Sequence, residues 1–439
     1  MAKIAPFRGI LYNQKKVSDP SKVIAPPYDV ISPEEQEKFL RRSPYNIVRL
    51  ILSREPDPYE SVARLFDEWQ KEGVLIRDES PAIYFLSHRY AYKGEKERKG
   101  FMAVARLEDF SSGGIRPHEA TLAAPKEDRL RLMLACHANL SPIFALYDEP
   151  RQMINRLLAE HVQGKPADVE VKEDKGGSCR LWRITDAELI RMARSEMEPQ
   201  PLLIADGHHR YEAAMKYREH MRRQNPNFTG REAFNNVMMV FANMKDEGVT
   251  VLPTHRLVRS FAPIPFRELE ESLMRYFYIE PYPKNPEGQK SFLRALQSGR
   301  KKHRLIGASF KRDPRYLILR LKNKRFMQRL AGDLSAPLQE LDVSVLHRLI
   351  LDHILGIKPE DQIKEGAITY SQDEEKVLQA LDKEDYMAAF ILNPTQPEEI
   401  LAVTGAGETM PQKSTYFYPK LIDGLVINKF DPEEKIGED

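Results

Sequence analysis

The stretch Leu202-Leu203-Ile204-Ala205-Asp206-Gly207-His208-His209-Arg210-Tyr211-Glu212-Ala213-Ala214 runs from a short apolar strand, 202–205, into an amphipathic helix beginning near Arg210. Between the two stand a carboxylate, a glycine, two imidazoles and a guanidinium. A helix start leaves backbone N–H groups without intrahelical partners and carries the positive end of the helix dipole, so it attracts phosphate and other anions. Gly207 tolerates a backbone conformation that a side chain forbids, which lets a ligand come close. Arg210 has the planar fork that grips an oxyanion with two hydrogen bonds. Histidine titrates near neutral pH, so His208 and His209 are candidates to move protons, one of them alternatively supporting the fold. The junction reads as an anion site with acid–base groups attached, on a chain of mixed α and β elements. The plainer alternative is a turn glycine among solvated polar neighbours.

Working outward, 439 residues predict two domains rather than one. Apolar residues at 41% supply sizeable cores beside a charged fraction of 30%. Lys and Arg total 67 against 65 for Asp and Glu, a net charge of +2, so no global basic field points to nucleic acid. Only Cys136 and Cys179 are present, which excludes a disulfide-rich scaffold and a Cys-based zinc site. No run approaches the ~18 apolar residues that span a bilayer. The start, Met1-Ala2-Lys3-Ile4-Ala5-Pro6-Phe7-Arg8, lacks a signal-peptide apolar region. These features predict a cytoplasmic protein without a membrane partner.

The pattern predicts a hairpin from 81–90 and 100–107 around a polar 93–96 turn, and strands at 141–147, 169–171, 180–184, 234–244 and 249–252. A helix is expected over 149–160, and Asp186 is placed to cap the one after it. The Asp206 helix should end before Asn225-Pro226. Phe261-Ala262-Pro263-Ile264-Pro265 reads as a linker. The expected division is therefore a phosphate-binding catalytic domain over 1–262 and a smaller α/β domain over 263–439 that contributes a loop near 410–420. Beyond the linker, helices at 266–276, 289–296, 341–355, 374–381 and 397–403 interleave with strands at 277–282, 305–310, 316–322, 388–392 and 425–427. The acidic tail, 430–439, is expected to fray.

Four further segments carry chemistry. Pro117-His118-Glu119-Ala120-Thr121, followed by Lys126 and Arg129, offers a general base beside phosphate-binding cations, or alternatively a charged helix face. Thr254-His255-Arg256 stands at a strand end. Lys413-Ser414-Thr415 resembles the end of a phosphate loop, but Gly405 and Gly407 are misplaced for a P-loop, and a packing loop is the alternative. Ala25-Pro26-Pro27-Tyr28-Asp29-Val30-Ile31-Ser32 is a rigid loop, with Ser32-Pro33-Glu34-Glu35 as a helix cap. His118, Glu119, Asp206, His208, His209 and His255 lack the spacing of a zinc hydrolase, so no protein-held metal is expected, and a Mg²⁺ carried by a nucleotide is the easier reading.

At these residues the chain resembles a broad prokaryotic family known as domain of unknown function one-thousand-and-fifteen. The matching pieces are Ala25–Ile31, Pro117–Thr121, Ser141-Pro142-Ile143-Phe144, Ala205–Tyr211, Pro253-Thr254-His255-Arg256 and Met410-Pro411-Gln412-Lys413-Ser414-Thr415-Tyr416-Phe417. The Asp206 segment is also similar to the Gly-x-x-Arg box of the ParB/sulfiredoxin-like superfamily, which includes free-serine kinases. That resemblance implies a ParB/sulfiredoxin-like nucleotide-binding N-terminal domain in which Gly207, His208, His209 and Arg210 hold phosphate. No cysteine stands beside the box, which argues against sulfiredoxin chemistry, and no helix-turn-helix or basic patch supports a DNA partner.

The expected function is a phosphotransferase that uses ATP or ADP with Mg²⁺ on a small hydroxyl metabolite such as free serine. Glu119 or His118 would take the hydroxyl proton, with Asp206 and His208 as further catalytic candidates. Lys126, Arg129, Arg210, His255, Arg256, Lys413, Ser414 and Thr415 would contact the nucleotide and offset charge. A phosphoserine-type phosphatase and a non-catalytic nucleotide-binding regulator are the alternatives.

Overall fold

The computed structural model describes residues 2–120, 123–174, 176–261, 264–300, 303–362, 364, 366–431 and 434–436, with 123 and 124 as backbone only. The chain is a mixed α and β protein that divides into two compact units. The first comprises Met1–Pro117, Thr121–Thr250 and Pro419–Asp439, and the second His118–Ala120 and Val251–Tyr418. The boundary expected at 262/263 falls on two residues that lie outside the described ones. Two features of the division go beyond any single cut. Residues 118–120 join the second unit, because Glu119 pairs in parallel with Met410 and the Met410 N–H donates to the His118 carbonyl at 2.8 Å. Residues 419–439 return to the first unit, because Asp423 pairs with Ala25, Ile427 with Ile10, and Asn428–Lys429 with Ala138–Asn139.

The first unit is built on a large mixed sheet. Its described strands are β1 (Ile4–Ala5), β2 (Ile83–Ala91), β3 (Glu95–Arg106), β4 (Ile115–Pro117), β5 (Ile143–Tyr147), β6 (Val169–Lys172), β7 (Ser178–Ile184), β8 (Leu202–Asp206) and β9 (Asn236–Asn243). They lie in the order β4-β8-β5-β9-β3-β2-β7-β6, with β1 on β3. β8 runs parallel to β4 and antiparallel to β5, and β9 runs parallel to β5 and antiparallel to β3. Every residue of β9 is buried. The unbroken apolar run within it, 237–242, suits a strand covered on both faces. Among the helices, α1 (Pro33–Arg42), α2 (Pro58–Lys71), α3 (Ala123–Cys136), α4 (Met153–Val162), α5 (Ala187–Met197) and α6 (His208–Gln224) matter here. Apolar residues of α4, α5 and α6, such as Leu158, Met197 and Tyr211, pack with Phe101, Ala145, Ile204 and Phe241 of the sheet. α2 packs Phe66 and Trp69 with Ile47 and Leu50 in a separate cluster.

The second unit has its own sheet. Its strands are β10 (His255–Val258), β11 (Phe277–Pro283), β12 (Leu305–Phe310), β13 (Arg315–Leu321), β14 (Ile368–Ser371) and β15 (Ala388–Ile391), in the order β11-β13-β12-β15-β10-β14. Neighbouring strands are antiparallel throughout. Helices α7 (Phe266–Tyr276), α8 (Pro286–Gly299), α9 (Val345–Ile354), α10 (Glu374–Lys383) and α11 (Pro397–Gly405) accompany it. Phe292 and Leu296 of α8 and Val377, Leu378 and Leu381 of α10 pack with Leu257, Ile318 and Ile391. α9 is a π-helix, and the step from Leu355 N–H back to the Ile350 carbonyl, 2.9 Å, shows its wide turn.

Three expectations are corrected. The Asp206 helix starts at His208, one residue after the glycine. The strand expected at 425–427 is shifted, and the ladder forms at Asn428–Lys429. The tail is pinned where it is described. Phe430 stacks on Tyr217 at 5.1 Å, Arg77 binds Asp431 at 2.7 Å and Glu434 at 2.5 Å, and Lys435 reaches Glu232 at 3.1 Å. No helix among the described residues is long and apolar enough to cross a membrane.

Candidate functional site

The structure gathers the residues singled out from sequence into two groups, one in each unit. In the first unit, β8 ends at Asp206 and α6 begins at His208. Gly207 joins them with φ +90°, a left-handed conformation that favours glycine. A glycine has no side chain to cap a helix, and Gly207 makes no side-chain cap hydrogen bond. His208 and His209 are its first two residues, both half-buried.

Arg210 is almost fully buried and turned back onto its own turn. One Nη donates to the Pro142 carbonyl and the other to Asp206 Oδ2 at 2.6 Å. Lys420, from the returning segment, pairs with the other oxygen of Asp206. Burial opposes the charge of Asp206, but Lys420, Arg210 and His208 outweigh it and hold its carboxyl well below the usual range. Arg210 is therefore a positioning residue that fixes the strand end, and it does not present its fork openly to a ligand. Asp423 stands beside this pair, 0% exposed. Its Oδ2 accepts from Ser141 Oγ at 2.6 Å, and its Oδ1 has no partner. Burial, with Asp29 and Asp206 nearby, pushes Asp423 up to about 7, against the opposite pull of Arg210 and Ser141. The Tyr28 ring lies 3.9 Å from the Arg129 guanidinium, and Tyr28 and Asp29 both act on the charge of Arg210. Lys126 is tied to Glu212 on α6 at 2.7 Å, and Arg129 to Asp128 and to the Ile51 carbonyl at 2.9 Å.

In the second unit, His118, Glu119, Lys413, Ser414, Thr415, His255 and Arg256 come together. Glu119 accepts from the Thr415 N–H at 3.0 Å, from Thr415 Oγ1 at 3.1 Å and from the Lys413 N–H at 3.2 Å. Lys413 takes φ +57°, which turns the loop amides toward that carboxylate. His118, 1% exposed, meets Thr415 Oγ1 through Nε2 at 2.7 Å and packs edge-on against Phe417. Ser414 gives its carbonyl to Thr395 Oγ1 at 3.1 Å. His255 is buried, with Nδ1 accepting from the Leu392 N–H at 3.2 Å. Arg256 is 0% exposed and donates to the carbonyls of Thr254 and of Lys413, the latter at 3.0 Å. Among the described residues, no group of three or more His, Cys, Asp or Glu side chains is placed to hold a metal ion.

A family model described as "Protein of unknown function (DUF1015)" matches residues 4–344. The chain belongs to the DUF1015 family. The match takes in Asp206–Arg210, His118 and Glu119 and ends before Lys413–Thr415, Lys420 and Asp423. No curated protein matches the sequence. Solved structures similar to this DUF1015 member include a conserved hypothetical protein from Pyrococcus furiosus, 14% identical, covering 73% of this chain and 92% of its own, with a TM-score of 0.34. A free serine kinase in complex with AMP is also 14% identical, over 72% of this chain and 86% of its own, with a TM-score of 0.35. SbnI from Staphylococcus aureus, truncated at its C-terminus, is 11% identical, over 73% of this chain and 85% of its own, with a TM-score of 0.34.

Lys420, Asp423 and Ser141 were not named from this DUF1015 sequence as site residues, although Lys420 closes the 410–420 segment that was singled out and Ser141 lies in a matching motif. One signal was available: Asp423-Gly424 is a turn dipeptide, and Gly424 takes φ +93°. Nothing local says that this turn comes to rest beside Asp206.

Proposed function

We propose that this protein is a phosphotransferase that moves a phosphoryl group from ATP or ADP to the hydroxyl of a small metabolite such as free serine. In this reading its first unit is a ParB/sulfiredoxin-like phosphate-binding domain. The observation that carries it is the start of α6. A helix opened by a glycine at φ +90° carries two histidines in its first turn, on a strand end whose carboxylate is locked between Lys420 and Arg210. The first-turn amides and the helix dipole bind a phosphate. His208 is near enough to the strand end for its charge to act on Asp206. Arg210 and Lys420 keep Asp206 ionised, which fixes the turn, while Lys126 and Arg129 are held by Glu212 and Asp128. A nucleotide bound with Mg²⁺ supplies the phosphoryl group. The chain's own contribution is positioning and charge compensation, which such transfers chiefly require. The protein acts in the cytoplasm on a small molecule, without a nucleic-acid partner.

One observation favours a second reading. Glu119, the candidate proton acceptor, already accepts three hydrogen bonds from Lys413 and Thr415. That leaves it less able to take a substrate proton and favours a nucleotide-binding regulator without turnover. Calorimetry with ATP and ADP, and phosphorus NMR of mixtures with serine, separate the readings. Binding with formation of a phosphate ester supports the kinase. Saturable binding without product supports the regulator. Phosphate release from phosphoserine without nucleotide makes the protein a phosphatase. Absence of nucleotide binding at millimolar concentration removes the helix start as a nucleotide site.

A further inference from the structure

Beneath the loop that carries Lys413 and Ser414, the second unit encloses a polar cavity lined in part by Thr254, Arg256, Asp342, Asn393, Glu399 and Ser414. It has room for about one particle of water size. Four of its lining groups have a buried polar atom with no hydrogen-bond partner: Thr254 Oγ1, Arg256 Nε, Asn393 Nδ2 and Asp342 Oδ1. Arg256 Nε and Asn393 Nδ2 can only donate, and Thr254 Oγ1 can donate. A buried donor left unmet costs about 1–3 kcal/mol, so three around one small cavity call for an occupant.

The charges around the cavity select the occupant. Arg256 is completely buried, and its guanidinium meets two carbonyl oxygens and, at 5.6 Å, the Tyr370 ring. Among the described residues it forms no direct ion pair. Glu119 acts on it only at longer range. Two more guanidiniums stand close. Arg304 binds Glu399 at 2.5 Å, and Arg300 donates to the Pro394 carbonyl with Glu399 at 3.7 Å. Against these three cations are Glu399, Glu340 at 4.0 Å from Arg304, and Asp342, which burial pushes up to about 7, so below that pH it is mostly neutral. A water molecule would satisfy the donors but leave the buried Arg256 charge with no anion beside it, which is expensive.

We propose that this cavity binds a small monovalent anion of halide size, held by Arg256 Nε, Asn393 Nδ2 and Thr254 Oγ1. The cavity is too small for phosphate or a nucleotide, so the site is independent of the helix start at Gly207. Its effect passes through Arg256, which holds the Lys413 carbonyl, while the Lys413 and Thr415 amides hold Glu119. The anion therefore keeps the 411–415 loop seated.

Crystals of the full chain soaked in sodium bromide, and thermal unfolding in chloride, bromide or gluconate at constant ionic strength, test this. The expected results are an anomalous peak in the cavity beside Arg256 Nε and a Tm at least about 2 °C higher in either halide than in gluconate. Asn393→Ala, with Thr254→Val as a second variant, should fold in gluconate and lose that halide shift. A water with no anomalous signal in the cavity, equal Tm in all three salts, or a full halide shift in both variants overturns the proposal.

Discussion

Gly207 is constrained both by its backbone conformation and by the space beside it. Its φ of +90° disfavours a side chain, and an added Cβ would lie 2.9 Å from the Arg210 guanidinium carbon. Gly207→Ala should therefore cost about 1–3 kcal/mol in urea unfolding and weaken phosphate binding together. An unchanged midpoint would show that the turn relaxes freely. Asp423 gives a pH signature. Its carboxyl is raised from 3.8 to about 7 by burial, so the folded state holds that proton more tightly than the unfolded state. The resulting stabilisation is complete below about pH 4 and is lost as the pH rises through about 7. Asp423→Asn keeps the neutral form. Relative to the wild type, the variant should gain stability steadily across that window and level off above it, as read from urea midpoints at a series of pH values. A difference independent of pH would mean that Asp423 ionises normally. The Asp206 group was legible in part because its glycine, histidines and arginine are consecutive. The role of Arg210 was not, because its acceptors, Asp206 and the Pro142 carbonyl, compete with any ligand and only folding brings Pro142 to it.

Helices and strands were legible wherever their signals are local. Ser32-Pro33-Glu34-Glu35 reads as a capped helix start, and α1 begins there with a reciprocal box: the Glu35 N–H donates to Ser32 Oγ at 3.2 Å and the Ser32 N–H to Glu35 at 3.1 Å. Ser32→Ala should cost about 1 kcal/mol in chemical denaturation, and a change well below that would mean that packing alone holds α1. Asp186 caps α5 as expected, through the Leu189 N–H at 2.9 Å. The charged run at 95–99 reads as turn and loop, yet it pairs with β2 from Glu95 onward. Its side chains satisfy one another across the strands, with Glu97 accepting from Ser87 at 2.6 Å and from Arg89 at 3.1 Å. Arg98 in that run is buried, 4.7 Å over the Phe144 ring, and donates to the Pro419 carbonyl at 2.7 Å. Polar composition signals a loop only when the polar groups have no cross-strand partners, and those partners are invisible in a single segment. The π form of α9 was equally hidden, since its apolar spacing reads as an ordinary helix.

The course of the chain as a whole was the least legible part. Chain length predicts two bodies, but not that the chain returns to the first after building the second. That return depends on pairings hundreds of residues apart, such as Ile427 with Ile10. The described part of the tail is anchored rather than frayed, so deleting 430–439 should lower the melting temperature of the full chain. Phe430 leaves its stack on Tyr217, and Arg77 loses both of its carboxylate partners. An unchanged melting curve would show that these contacts contribute nothing measurable.

The returning segment also sets an order of events during synthesis. Lys420 and Asp423 leave the ribosome only after 251–418 has been made, while Asp206, Gly207 and α6 have long been available. Domains fold as their residues emerge. A nascent chain therefore passes through a stage in which the large sheet has most of its strands, but Asp206 lacks its lysine and Ser141 its carboxylate acceptor. On the proposed phosphate-binding reading, ligand capture at that stage would meet an unfinished turn.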